Sequence, residues 1–315
     1  MTAQTPAVDV IYIAASRRDG RFTRICVASV RRWYPDAAVR LLIGGPLEPG
    51  LERELRRFWS VGVADLPRED YGWGFVKLEP LFQPAGERFL VLDSDTVMTG
   101  PVLQHAADRT EDFIVDDEEQ SAEGASEIYF DRALAEREGL AIPAAAFLFN
   151  SGQWIGTSGL IHRTDFDGLV DWGRPPRLAN PRVFKNGDQG VLNFVLNDKV
   201  RKGGVRVGRV PLMRWPGHGM GGLSAQAIAS DQAPARVIHW AGFKNPRLSA
   251  LPGADILLFF EKAYYARLPG GSARRLLSAA RHVAGAWLDR LFLPARLAWN
   301  RRTAGRPLTS REAGA

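Results

Sequence analysis

Cysteine is almost absent: Cys26 stands alone in 315 residues, so neither an intramolecular disulfide nor a thiolate zinc cluster can form. Also missing is any run of the ~18 apolar residues that a membrane-spanning helix requires. The opening stretch, MTAQTPAVDVIYIAAS, lacks the basic region of a secretory signal. Together these absences predict a protein of the reducing cytoplasm. Most of the chain also lacks an excess of either charge. The net charge is +6, yet residues 271–315 hold nine arginines against Asp289 and Glu312, a net of +7, which leaves residues 1–270 at −1. A near-neutral body argues against a nucleic-acid partner. With 45% apolar and 24% charged residues, the chain has the composition of a globular protein rather than a disordered or multi-span one. Two parts are expected: a catalytic-sized domain over 1–270 and a basic tail over 271–315.

Within the body, apolar runs of strand length alternate with stretches of helical spacing. Val8–Ala14, Ala38–Ile43, Val61–Ala64 and Arg88–Leu92 read as strands, and Phe22–Trp33, Glu52–Trp59 and Val76–Phe82 as helices. Further on, Phe113–Val115, Ala145–Phe149, Val205–Val210 and Arg236–His239 read as strands, and Asp188–Leu196 as a helix start. This pattern predicts an α/β fold with a mostly parallel sheet flanked by helices. Ligands of such sheets bind beyond the carboxyl ends of the strands. Residues 211–224 are rich in glycine and proline and read as a mobile loop. They contain a literal G-x-G-x-x-G, but no strand leads directly into it, so it makes a poor dinucleotide fingerprint.

The residues just after the strand RFLVL carry the first chemistry. Asp93-Ser94-Asp95 places two carboxylates one residue apart where the backbone leaves the sheet, a donor set that suits Mn²⁺ or Mg²⁺. It is equally an ordinary solvated turn. His239, ending the run Val237–His239, is able to complete such a site. The turn at Gly242 and the point charge of Lys244 behind it suit a phosphate. Asn150-Ser151-Gly152 and Asn186-Gly187-Asp188-Gln189 set small amide, hydroxyl and carboxylate groups beside glycines, as recognition of sugar hydroxyls requires. Asp188 is also able to cap the helix that starts there.

In this order the phrases RFLVLDSDTVMTGPV, FNSGQWIG, NGDQGVLN and VIHWAGFKNP resemble the family 8 glycosyltransferases, which include glycogenin and the bacterial lipopolysaccharide galactosyl- and glucosyltransferases. The resemblance covers about residues 8–262. It implies a GT-A type, Rossmann-like nucleotide-diphospho-sugar transferase fold with a mixed central sheet, a nucleotide diphosphate sugar donor, Mn²⁺ (or Mg²⁺), and transfer with retention. By the same resemblance Asp93, Asp95 and His239 are metal ligands, and Gly242 and Lys244 are diphosphate contacts. Ser94, Asn150 and Ser151 then contact the donor, as does Lys77 in GFVKLEPL, and Asp188 and Gln189 lie at the catalytic face of the sugar. In place of the family's acidic residue and tyrosine in the first loop, this chain has Ala14-Ala15-Ser16-Arg17-Arg18-Asp19. A UDP-hexose is the donor expected. The acceptor expected is a saccharide or lipid-linked glycan of the cell envelope.

Two other readings share parts of this pattern. A sugar nucleotidyltransferase would need a glycine-rich loop after the first strand, where SRRDGRF has one glycine. A non-catalytic peripheral membrane protein that only binds a ligand would bring about no metal-dependent release of sugar from a nucleotide. In the tail, Leu276, Leu277, Ala280, Val283, Ala284, Trp287, Leu288, Leu291 and Phe292 recur at spacings of three and four. They form one stripe of an amphipathic helix. With the arginine excess, this predicts a helix lying on an anionic membrane, at the inner face of the cell membrane.

Overall fold

A computed structural model gives the fold, described for residues 7–16, 19–67, 70–72, 74–140, 146–217, 220–243 and 247–284. The chain begins β1 (Val10–Ala15), α1 (Gly20–Trp33), β2 (Val39–Ile43), α2 (Leu51–Trp59), β3 (Val61–Val63). A 3₁₀ helix over Phe75–Phe82, which holds Pro80 inside it, leads to β4 (Arg88–Asp93) and β5 (Thr96–Met98). Next come β6 (Phe113–Asp116), α3 (Ala122–Ile128), α4 (Arg132–Arg137), β7 (Gln153–Thr157) and a small hairpin of β8 (Val170–Asp171) and β9 (Arg177–Leu178). The remainder is α5 (Asp188–Arg201), β10 (Val207–Val210), β11 (Met213–Arg214), α6 (Ala225–Ala229), β12 (Val237–His239) and α7 (Ala254–Ala266). Residues 271–284 are helical.

The central sheet has the order β10-β6-β7-β4-β1-β2-β3. Only β7 runs against its neighbours, so the sheet is mixed and mostly parallel, as expected. Strand alternation divides the core. Ile11, Ile13, Leu90 and Leu92 face α1, α2 and α7, whereas Val10, Tyr12, Phe89 and Val91 face α5 and the 3₁₀ helix. Both faces are therefore buried, which explains why these strands read as continuous apolar runs. A second sheet, β11-β12-β5, lies where β4 ends. Part of the expected mobile loop over 211–224 thus belongs to a sheet, because Met213 and Arg214 pair with Val237 and Ile238.

One expected strand is absent, and its replacement positions the site. Residues 146–149 of the expected Ala145–Phe149 strand carry no sheet ladder; residue 145 lies outside the described set. Side-chain amides of α5 take the place of a neighbouring strand. Asn197 accepts from Phe147 N–H at 3.1 Å and donates to its carbonyl at 2.7 Å. Asn193 does the same for Phe149, both bonds at 2.9 Å, and Gln189 Oε1 accepts from Ser151 N–H at 3.1 Å. Asparagine and glutamine each carry a donor group and an acceptor group on one amide, and their spacing of four puts them on one helix face.

Buried charge ties the C-terminal elements to the body. Arg21 pairs with Glu261 at 2.7 Å, and Arg24 pairs with Glu48 at 2.7 Å and Glu54 at 2.9 Å. From the helix over 271–284, Arg275 reaches Glu261 at 2.9 Å and Arg274 reaches Glu54 at 3.4 Å. Leu276 and Leu277 of that helix point away from the body and are 73% and 57% exposed. Among the described residues no helix is long and apolar enough to cross a membrane.

Candidate metal and donor site

The carboxylates and the histidine meet because of how the two sheets join. β4 ends at Asp93, a two-residue turn comes next, and β5 starts at Thr96, directly opposite His239 in the antiparallel β5–β12 pair. Trp240 N–H donates to the Asp95 carbonyl at 2.9 Å and closes the turn. Asp93, Asp95 and His239 each offer a ligand atom, all within 4.8 Å of one another. His239 Nε2 is 3.1 Å from Asp95 Oδ1 and 3.6 Å from Asp93 Oδ2. Two carboxylates and one imidazole form a donor set that fits Mn²⁺ or Mg²⁺. Burial works to raise the Asp95 carboxyl, but the charge and hydrogen bond of His239, with help from Lys77, hold it below the usual range. Burial works to lower the ring of His239, and Asp95 prevails there too, raising it.

Beside this trio lies a second charged corner. Lys77, on the 3₁₀ helix, sets its ammonium 3.1 Å from Asp93 Oδ1, 3.1 Å from Asp188 Oδ2 and 3.1 Å from Ser151 Oγ. It also donates to the Ser151 carbonyl at 3.4 Å. Burial opposes charge on Lys77, yet Asp188 and Asp93 outweigh it and raise the ammonium. Asp188 is pushed up to about 6, first by burial and against the pull of Lys77. Asp188 does not cap α5; Gly187 occupies that position, and Asp188 is the first helical residue. Room for its carboxylate comes from Gly74, a position sequence reasoning missed. Gly74 has φ +86, and a Cβ there would lie 2.0 Å from Asp188 Oδ1.

The remaining expected residues fall around these two groups. Asn150 is buried and its Oδ1 lies 3.0 Å from His239 Nδ1, which makes it a neighbour of the histidine. Ser151 faces Lys77, and Gln189 is engaged with the backbone of Ser151. Ser94 is buried in the turn between the two aspartates. Gly242 comes after β12 in a left-handed turn with φ +79. Lys244 lies outside the described residues, as do Arg17 and Arg18 of the first loop.

A further site neighbour, Trp215, was not singled out from the sequence. Its ring stacks on that of His239 with centroids 5.8 Å apart and planes at 15°, and its Nε1–H donates to Glu118 Oε1 at 2.6 Å. An aromatic residue in a glycine- and proline-rich loop was the available signal. The pairing of β11 with β12, which brings that loop to His239, is not written in local sequence.

No family model matches the sequence, and no curated protein does. Among solved structures the chain is similar to the galactosyltransferase LgtC, determined with donor and acceptor sugar analogues. The TM-score is 0.52 at 16% identity, over 81% of this chain and 95% of LgtC. It is also similar to the glycosyltransferase GlyE of Streptococcus pneumoniae TIGR4, with a TM-score of 0.50 at 14% identity, over 89% of this chain and 64% of GlyE. Against the bifunctional glycosyltransferase WbbM the TM-score is 0.50 at 14% identity, over 84% of this chain and half, 50%, of WbbM. Identities this low establish shared architecture: the chain has the GT-A fold of these glycosyltransferases.

Proposed function

We propose that this protein is a metal-dependent, retaining hexosyltransferase that moves a sugar from a nucleotide diphosphate sugar, a UDP-hexose, to a saccharide or lipid-linked glycan. The observation that carries this reading is the meeting of Asp93, Asp95 and His239 at the carboxyl end of β4 in a fold shared with glycosyltransferases. These three residues hold Mn²⁺ or Mg²⁺, which when bound neutralises the charge that develops on a departing diphosphate. Lys77 keeps Asp93 and Asp188 in place. Ser94, Ser151, Gly242 and Lys244 are the donor contacts. Neither Asp188 nor Gln189 is placed as a free nucleophile: the first is tied to a buried ammonium, and the second is a neutral amide engaged with Ser151. This supports front-side attack. The acceptor hydroxyl oxygen bonds to the anomeric carbon as the carbon–phosphate-oxygen bond breaks, and the hydroxyl proton passes to the departing phosphate oxygen.

Thermal shift with UDP-, GDP-, ADP- and dTDP-sugars in the presence of Mn²⁺ tests the donor. UDP-hexose at a hundred times its Kd stabilises the fold by about 2.7 kcal/mol. Stabilisation by GDP-sugars alone overturns the choice of base.

We further propose that residues 1–270 are the transferase unit and that 271–315 bring it to the inner, anionic face of a membrane. Support comes from the exposed Leu276 and Leu277 and from the arginine excess of the tail. Arg274 and Arg275 are engaged with the body, so the attraction to lipid rests on the arginines beyond them. A chain ending at Gly270 keeps Arg21 on Glu261 and Arg24 on Glu54. It therefore folds, but loses sedimentation with phosphatidylglycerol vesicles; binding by the full chain weakens as salt rises. Equal sedimentation of both chains refutes the assignment.

A further inference from the structure

We infer that Asn150 is a positioning residue for the metal histidine: it holds His239 in the tautomer that carries hydrogen on Nδ1, so that Nε2 presents its lone pair to the cation. This rests on the reading of Asp93, Asp95 and His239 as the metal site. It gives Asn150 a different task from the sugar contact expected of it.

One neighbouring group has an unambiguous hydrogen-bonding role. The Gly152 backbone N–H is able only to donate, and it points at Asn150 Oδ1 from 2.8 Å. The amide atom there is therefore the oxygen, because the alternative orientation would face NH₂ against N–H. That same oxygen is 3.0 Å from His239 Nδ1. A carbonyl oxygen only accepts, so Nδ1 carries the hydrogen; Nε2 of the metal-free ring faces the Asp95 carboxylate, which accepts a hydrogen bond from a second ring proton, and a bound cation would take the place of that proton. Nε2 is the nitrogen that faces Asp95 and Asp93.

The opposite tautomer is costly at this place. It would set the lone pair of Nδ1 against Oδ1 and aim an N–H at the cation. His239 is 3% exposed and Asn150 6%, so water does not relieve the conflict. A buried polar group left unsatisfied is destabilising. The ring is also hemmed in. A Cβ on Gly152 would stand 2.2 Å from His239 Cε1, and Trp215 covers a face of the ring. Asn150 itself is fixed from both sides, since Phe149 and Ser151 are bonded to Asn193 and Gln189. Hydrogen bonding to the second nitrogen is the general means by which a metal-bound histidine is oriented.

The test uses the full chain. A long-range ¹H–¹⁵N correlation of the histidine rings, recorded with saturating diamagnetic Mg²⁺ and with the His239 signal assigned by loss in His239→Gln, shows hydrogen on Nδ1. Calorimetric titration with Mn²⁺ alone then shows Asn150→Ala binding ~10–100-fold more weakly, while Asn150→Asp, which keeps an acceptor at Oδ1, stays within about threefold of wild type. An Nε2–H pattern in the wild type overturns the proposal. So does undiminished Mn²⁺ affinity of Asn150→Ala, or an Asn150→Asp variant as weak as Asn150→Ala. Should Asn150→Ala fail to fold, the tautomer of the wild type decides. Failure of the metal reading itself is distinguishable, because Asp95→Ala would then bind Mn²⁺ as tightly as the wild type.

Discussion

Asp95→Ala abolishes sugar transfer, by at least roughly a thousandfold, and leaves the melting temperature close to that of the wild type. Several kcal/mol of transition-state stabilisation come from a cation on a departing phosphate, and each 1.36 kcal/mol is about tenfold in rate. The variant removes one of the three proposed ligands and also the carboxylate nearest His239 Nε2. The fold keeps the backbone contribution of Asp95, because Trp240 N–H bonds to the Asp95 carbonyl, which alanine retains; the side-chain pair with His239 is lost, and the same loss removes a neighbour of the crowded Asp93 carboxylate. A loss of function much larger than the loss of stability is thus expected from the bonding. Radiolabel transfer from a UDP-hexose, with a melting curve on the same sample, measures both. Transfer near the wild-type rate, or indifference of the wild type to EDTA, removes the residue from the site.

Lys77→Met has the opposite signature, since it costs stability as well as turnover. The ammonium is buried between Asp188 and Asp93, with side-chain exposures of 6% for Lys77 and 3% for Asp188. Removing one member of such a pair leaves a carboxylate without its counter-charge, at a cost of about 3–5 kcal/mol. For a domain of this size that is a fall of roughly 10 °C in Tm. The double variant Lys77→Met/Asp188→Leu removes the ammonium and the more buried of its two carboxylates, so its loss is smaller than the sum of the two single losses. Urea denaturation of the four proteins measures the coupling. Additive losses, or a single-variant loss under about 1 kcal/mol, show that the pair is not a closed unit.

Much of this was readable from the chain, for reasons that also mark where reading fails. RFLVL announces a buried strand because both of its faces meet apolar neighbours, and the aspartates after it lie at the sheet edge, where ligands of α/β folds bind. The role of residues 147–151 was hidden because their backbone partners are side chains 38 to 50 residues away on α5. Propensity and alternation contain no trace of that. Gly74 escaped because its importance depends on Asp188, which only the tertiary fold brings near. In the last helix, periodicity identified a leucine stripe and an arginine side but not which of them faces the body. Arg274 and Arg275 turn inward because Glu54 and Glu261 are there to receive them, and the leucines are left outside.

The bonding of α5 to the segment before Gly152 works as a vernier between two rulers of unequal pitch. Four residues of α-helix rise about 6.0 Å, whereas two residues of extended chain advance about 6.6–6.8 Å. Marks that coincide at one point therefore drift apart by more than half an ångström at each step away from it. At Asn193 both bonds to Phe149 measure 2.9 Å; one step out, Asn197 meets Phe147 with bonds of 3.1 and 2.7 Å, and Gln189 meets Ser151 with the N–H bond of 3.1 Å. At Ser151 only the N–H is still served by the helix, and the carbonyl turns to Lys77 instead. The pattern is also indexed, because a slip of the segment by one residue would turn its N–H and carbonyl groups away from all three amides together. The ladder ends where Ser151 turns its carbonyl to Lys77, beside the point at which Asn150 is delivered to His239.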